Sequence, residues 1–275
     1  MIGIIGQGFV GNAVYQKFKK HYKVLTYDKY KTNHNSTLED LVYNSHYIFI
    51  CLPTPMNTDG SCNTDIIEDV LDEVNEITKE REKVVIIKST IVPKTTIRLN
   101  KKYEFLNVVF NPEFLTERNA VEDYNNQSRI ILGGERPYTT ELKQIFSKVF
   151  PKAHIIKTDS THAEMVKYLT NTFLSVKVSF ANEIYELCDK LGIDYDKVVE
   201  YATLDERLGH SHWSVPGPDG DYGFGGHCFP KDLAALIRLS FELHTTNNVL
   251  CSTQTTNDEV RNFKDWELMK GRAVT

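Results

Sequence analysis

The sequence lacks a disulfide pattern, a membrane-length apolar run and a basic surface, and each absence removes a class of function. Its five cysteines (51, 62, 188, 228 and 251) are an odd number with no CxxC pair. That pattern predicts reduced thiols in a cytoplasmic protein, not a disulfide framework. No apolar stretch approaches the roughly 18–20 residues of a membrane span, so no membrane partner is expected. The opening run IGIIGQGFVG has no basic lead and passes straight into glycines, which predicts a strand and a turn rather than a signal peptide. Lys and Arg number 32 against 37 Asp and Glu, for a net charge of −5. With no basic run to reverse that balance, general nucleic-acid binding is excluded. Internal repeats and low-complexity tracts are also missing.

What is present is a strand-helix alternation. The apolar run 2–5 leads directly into Gly6-Gln7-Gly8-Phe9-Val10-Gly11, and a helical pattern follows from Phe9 to Lys20. A second strand, VLTYD, ends at Asp28, 20 residues after Gly8. That is the spacing of a dinucleotide-binding turn: glycines for the tight turn and close approach, a helix N-terminus for the pyrophosphate, and an acid for the ribose. Asp28 favours NAD, because a carboxylate repels the extra phosphate of NADP. Further strands are predicted at 45–52, 83–90, 107–114, 129–134 and 153–157. Helices are predicted near 37–43, from Asp65 to Lys79, from Pro93 and near 138–149. The fold class expected is α/β: an N-terminal doubly wound, Rossmann-like parallel sheet, followed by an all-helical central domain with one long spine helix. Ligands of such sheets sit beyond the carboxyl ends of the strands, which directs the loops after Leu52, Ser89 and Phe110 to the cofactor.

The spine helix is predicted to open on a capping box, Thr161 to Glu164, and to end before Gly192. Lys167 and Asn171 lie four apart and share one face. Val166, Leu169, Phe173, Val176 and Phe180 form an apolar stripe at near-helical spacing, which predicts either packing within the domain or a homodimer contact. Residues 209–226 are rich in glycine, proline and aromatics without periodicity, which marks an ordered loop with a binding role. Helical patterns near 230–245 and 250–262 close the chain, and the last residues read as frayed. Domains are placed at 1–158 (NAD-binding) and 159–275 (helical, dimerising, carrying the cysteine loop). His210, His212, His227 and Cys228 supply HxH and HC but no second cysteine or carboxylate pair at ligand spacing, so no metal is expected. Cys228 itself, in GFGGHCFPKD (223–232), reads on residue chemistry alone as a buried thiol or as a nucleophile exposed by glycines.

Seven segments in order, GQGFVG (6–11), LPTP (52–55), KST (88–90), NPEFLTE (111–117), KYLTN (167–171), DERLG (205–209) and GFGGHCFPKD, resemble the nucleotide-sugar dehydrogenases of the UDP-glucose 6-dehydrogenase and GDP-mannose 6-dehydrogenase type. The resemblance implies oxidation of a sugar primary alcohol to a carboxylate with two NAD per turnover and a cysteine thioester. It assigns Cys228 as nucleophile with Lys231 favouring the thiolate. It makes Lys167 and Asn171 the pair steadying the alkoxide and tetrahedral oxygens, Asp232 and Thr90 the groups that hold or activate water, and Glu113 the acid of thioester hydrolysis. To the cofactor set of Gly6–Gly11 and Asp28 it adds Leu52, Pro53, Thr54, Pro55, Met56, Ser89, Thr90, Ile91, Glu117 and Lys231. For the nucleotide sugar it implies Glu113, Phe114, Leu115, Thr116, Glu117, Lys167, Asn171, Arg207, Gly223, Phe224 and Gly225, with Arg207 reaching across a homodimer. Two departures stand out. The family carries a third, C-terminal domain, so this chain is expected to be a short form. Its loop 211–222 is also long and bears Trp213, expected to close over the substrate. The rival readings are a one-hydride β-hydroxyacid or 6-phosphogluconate-type dehydrogenase, which needs no cysteine, and an inactive NAD or nucleotide-sugar binding protein.

Overall fold

In the computed structural model, which describes residues 1–78 and 81–275, the chain divides into two units. The first comprises Met1–Thr54 and Thr64–Lys167, the second Pro55–Asn63 and Tyr168–Thr275. The boundary falls inside a helix.

The first unit is a sheet of seven strands among the described residues: β1 (Ile2–Ile5), β2 (Val24–Tyr27), β3 (Tyr47–Ile50), β4 (Lys83–Ile87), β5 (Leu106–Phe110), β6 (Arg129–Gly133) and β7 (His154–Thr158). Their order is β2-β1-β3-β4-β5-β6-β7, parallel throughout except for the single antiparallel pairing of Phe110 with Gly133. Helices α1 (Phe9–Phe18), α2 (Leu38–Asn44), α3 (Asp65–Thr78), α4 (Thr95–Lys102), α5 (Ala120–Asn126) and α6 (Arg136–Val149) connect them. Successive strand residues point to opposite faces, and both faces are buried. Ile48, Ile50, Val85 and Ile87 pack with Leu41, Leu71 and Leu99 on one side. Phe49, Val84, Ile86 and Val109 pack with Val14, Phe18 and Phe146 on the other. The doubly wound expectation holds.

Helix α7 (Ser160–Leu191) runs 32 residues from the first unit into the second. It closes at Gly192 with paired bonds, Gly192 N–H to the Asp189 carbonyl and Ile193 N–H to that of Cys188, the arrangement expected of a left-handed C-terminal cap. The second unit adds α8 (Tyr195–Ala202), α9 (Phe229–Glu242), α10 (Asn248–Val260) and short 3-10 turns at Glu206–Leu208 and Asp265–Leu268.

Several expectations need correction. The predicted capping box is not formed: Asp159 accepts from the His162 N–H at 3.1 Å and caps α7. Glu164 turns inward instead, accepting from the N–H groups of Lys94 and Thr96 at 2.7 and 2.8 Å and from the Thr96 hydroxyl at 2.6 Å. That carboxylate caps α4, which consequently opens at Thr95 and not at Pro93. Lys94, its N-cap, takes a φ of 77°. Helix α3 is described to Thr78, and its expected end at Lys79 lies outside the described residues. Helices α5 and α8 were not foreseen. The terminal segment is anchored, with Trp266 and Ala273 buried. No helix among the described residues is long and apolar enough to cross a membrane.

Candidate functional site

In the first unit the glycine turn joins β1 to α1. Gly6 has a φ of 93°, and a side chain at Gly11 would bring its Cβ to 1.9 Å from the Gly6 carbonyl oxygen, so turn and helix approach more closely than any larger residue allows. Gly8 is the N-cap of α1 with no side-chain cap, and nothing lies within 4 Å of where its Cβ would stand. A helix N-terminus without a side-chain cap, beside a backbone with room at Gly8, fits the pyrophosphate of a dinucleotide. Gln7, Phe9 and Val10 complete the turn. Asp28, directly after β2, accepts from the Gln7 N–H at 2.6 Å and from the N–H groups of Tyr30 and Lys31. Partial burial opposes ionisation, but those bonds and the Lys31 ammonium hold its carboxyl below the usual range. Lys31, which sequence reasoning missed, donates to the Gln7 carbonyl at 2.9 Å. At the ends of β3 and β4, the Ser89 hydroxyl accepts from the Leu52 N–H at 3.1 Å, and the Thr54 hydroxyl donates to the Thr90 carbonyl at 2.8 Å. Pro53 and Ile91 fall in these same two loops.

The loop after β5 carries a buried ion pair. Lys167 Nζ donates to the Glu113 carbonyl at 2.6 Å and to Glu113 Oε1 at 3.1 Å, while Oε2 accepts from the Leu115 N–H at 2.7 Å. Both side chains are under 10% exposed, 4% for Lys167 and 8% for Glu113. Phe114 lies beneath this lysine and beside Arg129, its ring centroid 5.4 and 4.5 Å from the two cations. Thr116 is taken up by Asp123, which accepts from both its N–H and its hydroxyl. Behind this loop stands Lys88, also missed although it opens the KST segment. Buried, it donates to the side chain and carbonyl of Asn111 at 2.8 and 3.1 Å. Burial pushes its pKa down to about 8, with Cys51 and Glu113 opposing and Lys167 adding. Glu117 is exposed.

In the second unit Cys228 is the N-cap of α9, half-buried, with Pro230 in the first turn. Four residues on, Asp232 is 1% exposed and accepts from Lys231 Nζ and from Asn171 Nδ2, each at 2.6 Å. Burial alone would lower the Lys231 ammonium, but the Asp232 carboxylate, aided by Cys228 and Cys62, raises it above the ordinary lysine value. The structure therefore gathers Asn171, Cys228, Lys231 and Asp232 here, and Lys167 with Glu113 and Phe114 in the first unit; Lys167 and Asn171 are one turn apart on α7. A thiol at a helix N-terminus beside an ammonium is in the setting that favours its thiolate.

Other expected residues are placed differently. Arg207 is 88% exposed and paired only locally, with Asp205. Trp213 is turned into a cluster with Tyr185, Tyr195 and Tyr222. Its indole N–H donates to the Gly209 carbonyl at 2.8 Å, and Lys177 lies 4.7 Å from its ring, so it anchors the loop from within. The Phe224 ring packs against Leu233 and Ile237, its N–H and carbonyl are both bonded to Asn257, and the Gly223 N–H donates to Asn182 Oδ1 at 3.2 Å. Among the described residues no group of three or more His, Cys, Asp or Glu is placed to hold a metal ion.

Comparison with known proteins adds to this geometry. Residues 23–153 match the NAD binding domain of the UDP-glucose/GDP-mannose dehydrogenase family, and residues 161–259 match its central domain. A UDP-glucose 6-dehydrogenase of Haloferax volcanii is 34% identical over 72% of this chain and 49% of its own length. One from Bacillus subtilis is 33% identical over 76% and 48% respectively. The chain thus spans about half the length of the curated relatives it matches. The solved UDP-glucose dehydrogenase of Pyrobaculum islandicum superimposes with a TM-score of 0.84 at 28% identity, covering 94% of this chain and 68% of that one. A Mycobacterium tuberculosis 3-hydroxyisobutyrate dehydrogenase, with a TM-score of 0.74 at 16% identity over 92% of this chain and 90% of its own, shares the fold.

Proposed function

Because the chain belongs to the UDP-glucose/GDP-mannose dehydrogenase family, we propose that it oxidises the primary alcohol of a nucleotide sugar, UDP-glucose, to the carboxylate through a thioester on Cys228. The observation that carries this reading is the first turn of α9, where one helix N-terminus holds Cys228, the Lys231 ammonium and the Asn171-bound Asp232 carboxylate. The relatives' names support the choice of sugar.

NAD bound at the glycine turn supplies the hydride acceptor, twice per turnover. The chain's own residues do the rest. The alcohol gives up its hydroxyl proton to solvent and a hydride to the nicotinamide acceptor to become an aldehyde, with Lys167 and Asn171 steadying the alkoxide. Cys228, held as thiolate by the helix N-terminus and Lys231, forms a bond from sulfur to the carbonyl carbon. The same two donors hold the resulting oxyanion until the second hydride leaves, giving the thioester. Water held by Asp232 then adds to the thioester; the carbon–sulfur bond breaks, the thiolate is restored, and the protons of the water pass to the Asp232 carboxylate and to solvent. The Gly223–Gly225 stretch of the second unit is assigned to the sugar nucleotide.

NADH formation across UDP-glucose, UDP-galactose, GDP-mannose and UDP-N-acetyl sugars tests the substrate. Two NADH per sugar and loss of the second oxidation in Cys228→Ser support the mechanism. One NADH per substrate, unaffected by Cys228→Ser, identifies a β-hydroxyacid-type enzyme instead. We also place a homodimer contact on α7, supported by the exposed Leu169, Phe173, Phe180, Leu187 and Leu191 along it. Arg207, exposed and paired with Asp205, is the side chain this reading gives to a partner's site in such a dimer.

A further inference from the structure

The segment after α10, Arg261 to Thr275, lies beyond the residues that match the family's central domain, which end at 259. Its first residue has a guanidinium only 3% exposed, with three carboxylates in reach: Asp219 at 2.7 Å, Asp265 at 3.2 Å and Asp221 at 3.6 Å. Arg261 also donates to the Tyr222 carbonyl at 3.3 Å and to that of Phe263 at 2.9 Å. A buried guanidinium demands such company, and the fork fixes where its partners stand.

Those partners all lead to one place. Both oxygens of Asp265 accept from the Gly226 N–H at 3.1 Å. Asn257, in the last turn of α10, accepts from the Phe224 N–H at 2.7 Å and donates to the Phe224 carbonyl at 3.1 Å. Asp221 accepts from the Phe263 N–H at 3.0 Å and from the Asn262 side chain at 2.7 Å. Contact is so close that a side chain at Gly225 would stand 2.1 Å from Arg261 Nη2 and 2.4 Å from Asp265 Oδ1. The backbone 222–226, which runs directly into Cys228, belongs to no helix or strand. Side chains from 257–265 hold it instead. At its far end the same segment pairs with loop 55–63: Met56 N–H donates to the Ala273 carbonyl at 2.8 Å, and Thr275 N–H to the Met56 carbonyl at 3.0 Å.

We propose that Arg261–Thr275 is a strap that positions both loops, with Arg261 and Asp265 as positioning residues for the glycine run and so for the sugar's approach to Cys228. This rests on the reading of Cys228 given above. The strap touches no reacting atom; it sets the backbone on which substrate lies.

The test uses the full chain and three variants. Asp265→Ala is expected to raise KM for UDP-glucose about 10- to 100-fold, the weight of a charge-assisted bond, with the NAD dissociation constant unchanged. Asp265→Asn keeps an acceptor for Gly226 and is expected to recover most of the loss. Thr275→Pro removes the N–H that Met56 binds, and is expected to raise KM for NAD about 2- to 10-fold while sparing the sugar. Amide hydrogen exchange gives a readout independent of turnover: Asp265→Ala should accelerate exchange in 222–229 and leave residues 1–54 unchanged. Unaltered exchange and unaltered kinetics in folded Asp265→Ala protein would overturn the strap. A wild-type chain that turns over no nucleotide sugar would defeat the function, while the exchange data would still decide the strap.

Discussion

Asn171 and Asp232 are joined side chain to side chain at 2.6 Å, linking α7 to α9, and the second oxygen of Asp232 is 2.6 Å from Lys231 Nζ. With Asp232 and Lys231 both buried, the carboxylate is what makes a buried ammonium tolerable. Asp232→Ala should therefore cost about 3–5 kcal/mol in urea unfolding, the range for breaking a buried ion pair by deleting one partner. Lys231→Met, which leaves Asp232 its Asn171 donor, should cost less.

Gly11→Ala would force a Cβ onto the Gly6 carbonyl oxygen. Overpacking of this kind costs about 1–3 kcal/mol, and here the strain falls on the turn proposed to bind pyrophosphate. The variant should melt lower and show weakened NAD binding by fluorescence titration. Unchanged NAD affinity would argue against that turn as the cofactor site.

Glu68 bonds Arg98 at 2.7 Å and Lys102 at 3.3 Å. The Arg98 bond leads in holding its pKa near 2, against an ordinary 4.5, despite partial burial. A carboxyl depressed by folding stabilises above its unfolded pKa, and the contribution fades as pH falls from 4.5 through 2. Wild-type protein should therefore lose more stability between pH 6 and pH 3 than Glu68→Gln, measured by urea midpoints at each pH.

Phe173 is 59% exposed on α7, with Leu169 and Phe180 exposed along the same helix. If this stripe is the dimer contact, Phe173→Glu should halve the mass seen by light scattering without lowering helical content. A wild-type monomer would refute the contact directly.

The parts legible in the sequence were those whose cause is local. The strand, glycine turn, helix and Asp28 are adjacent in the chain, and their geometry follows from residues within 30 positions. The apolar runs of β3 to β6 likewise reveal a sheet buried on both faces. Glu164 shows the opposite case: its spacing from Thr161 fits a capping box, yet its carboxylate caps Thr96, 68 residues away. Helices α5 and α8, of seven and eight residues, are too short to show a period. Trp213 reads as a loop aromatic by composition, and its partners, Gly209 for the N–H and Lys177 for the ring, show only in three dimensions. The tail looked frayed because its partners, Met56 and the glycine run, are remote in sequence.

One consequence concerns how such a chain could change through evolution. In the second unit, the groups proposed for chemistry (Asn171, Cys228, Lys231 and Asp232) sit within or at the cap of two helices, whereas most of residues 210–216 is exposed, with Trp213 and Val215 turned into a core cluster. Insertions in a surface loop carry a small entropic cost, about 0.6 kcal/mol for each doubling of length. Insertions beside the exposed His210, Ser211 or Pro216 would therefore lengthen this loop, with Trp213 and Val215 as its anchors, while the reacting groups stay in register.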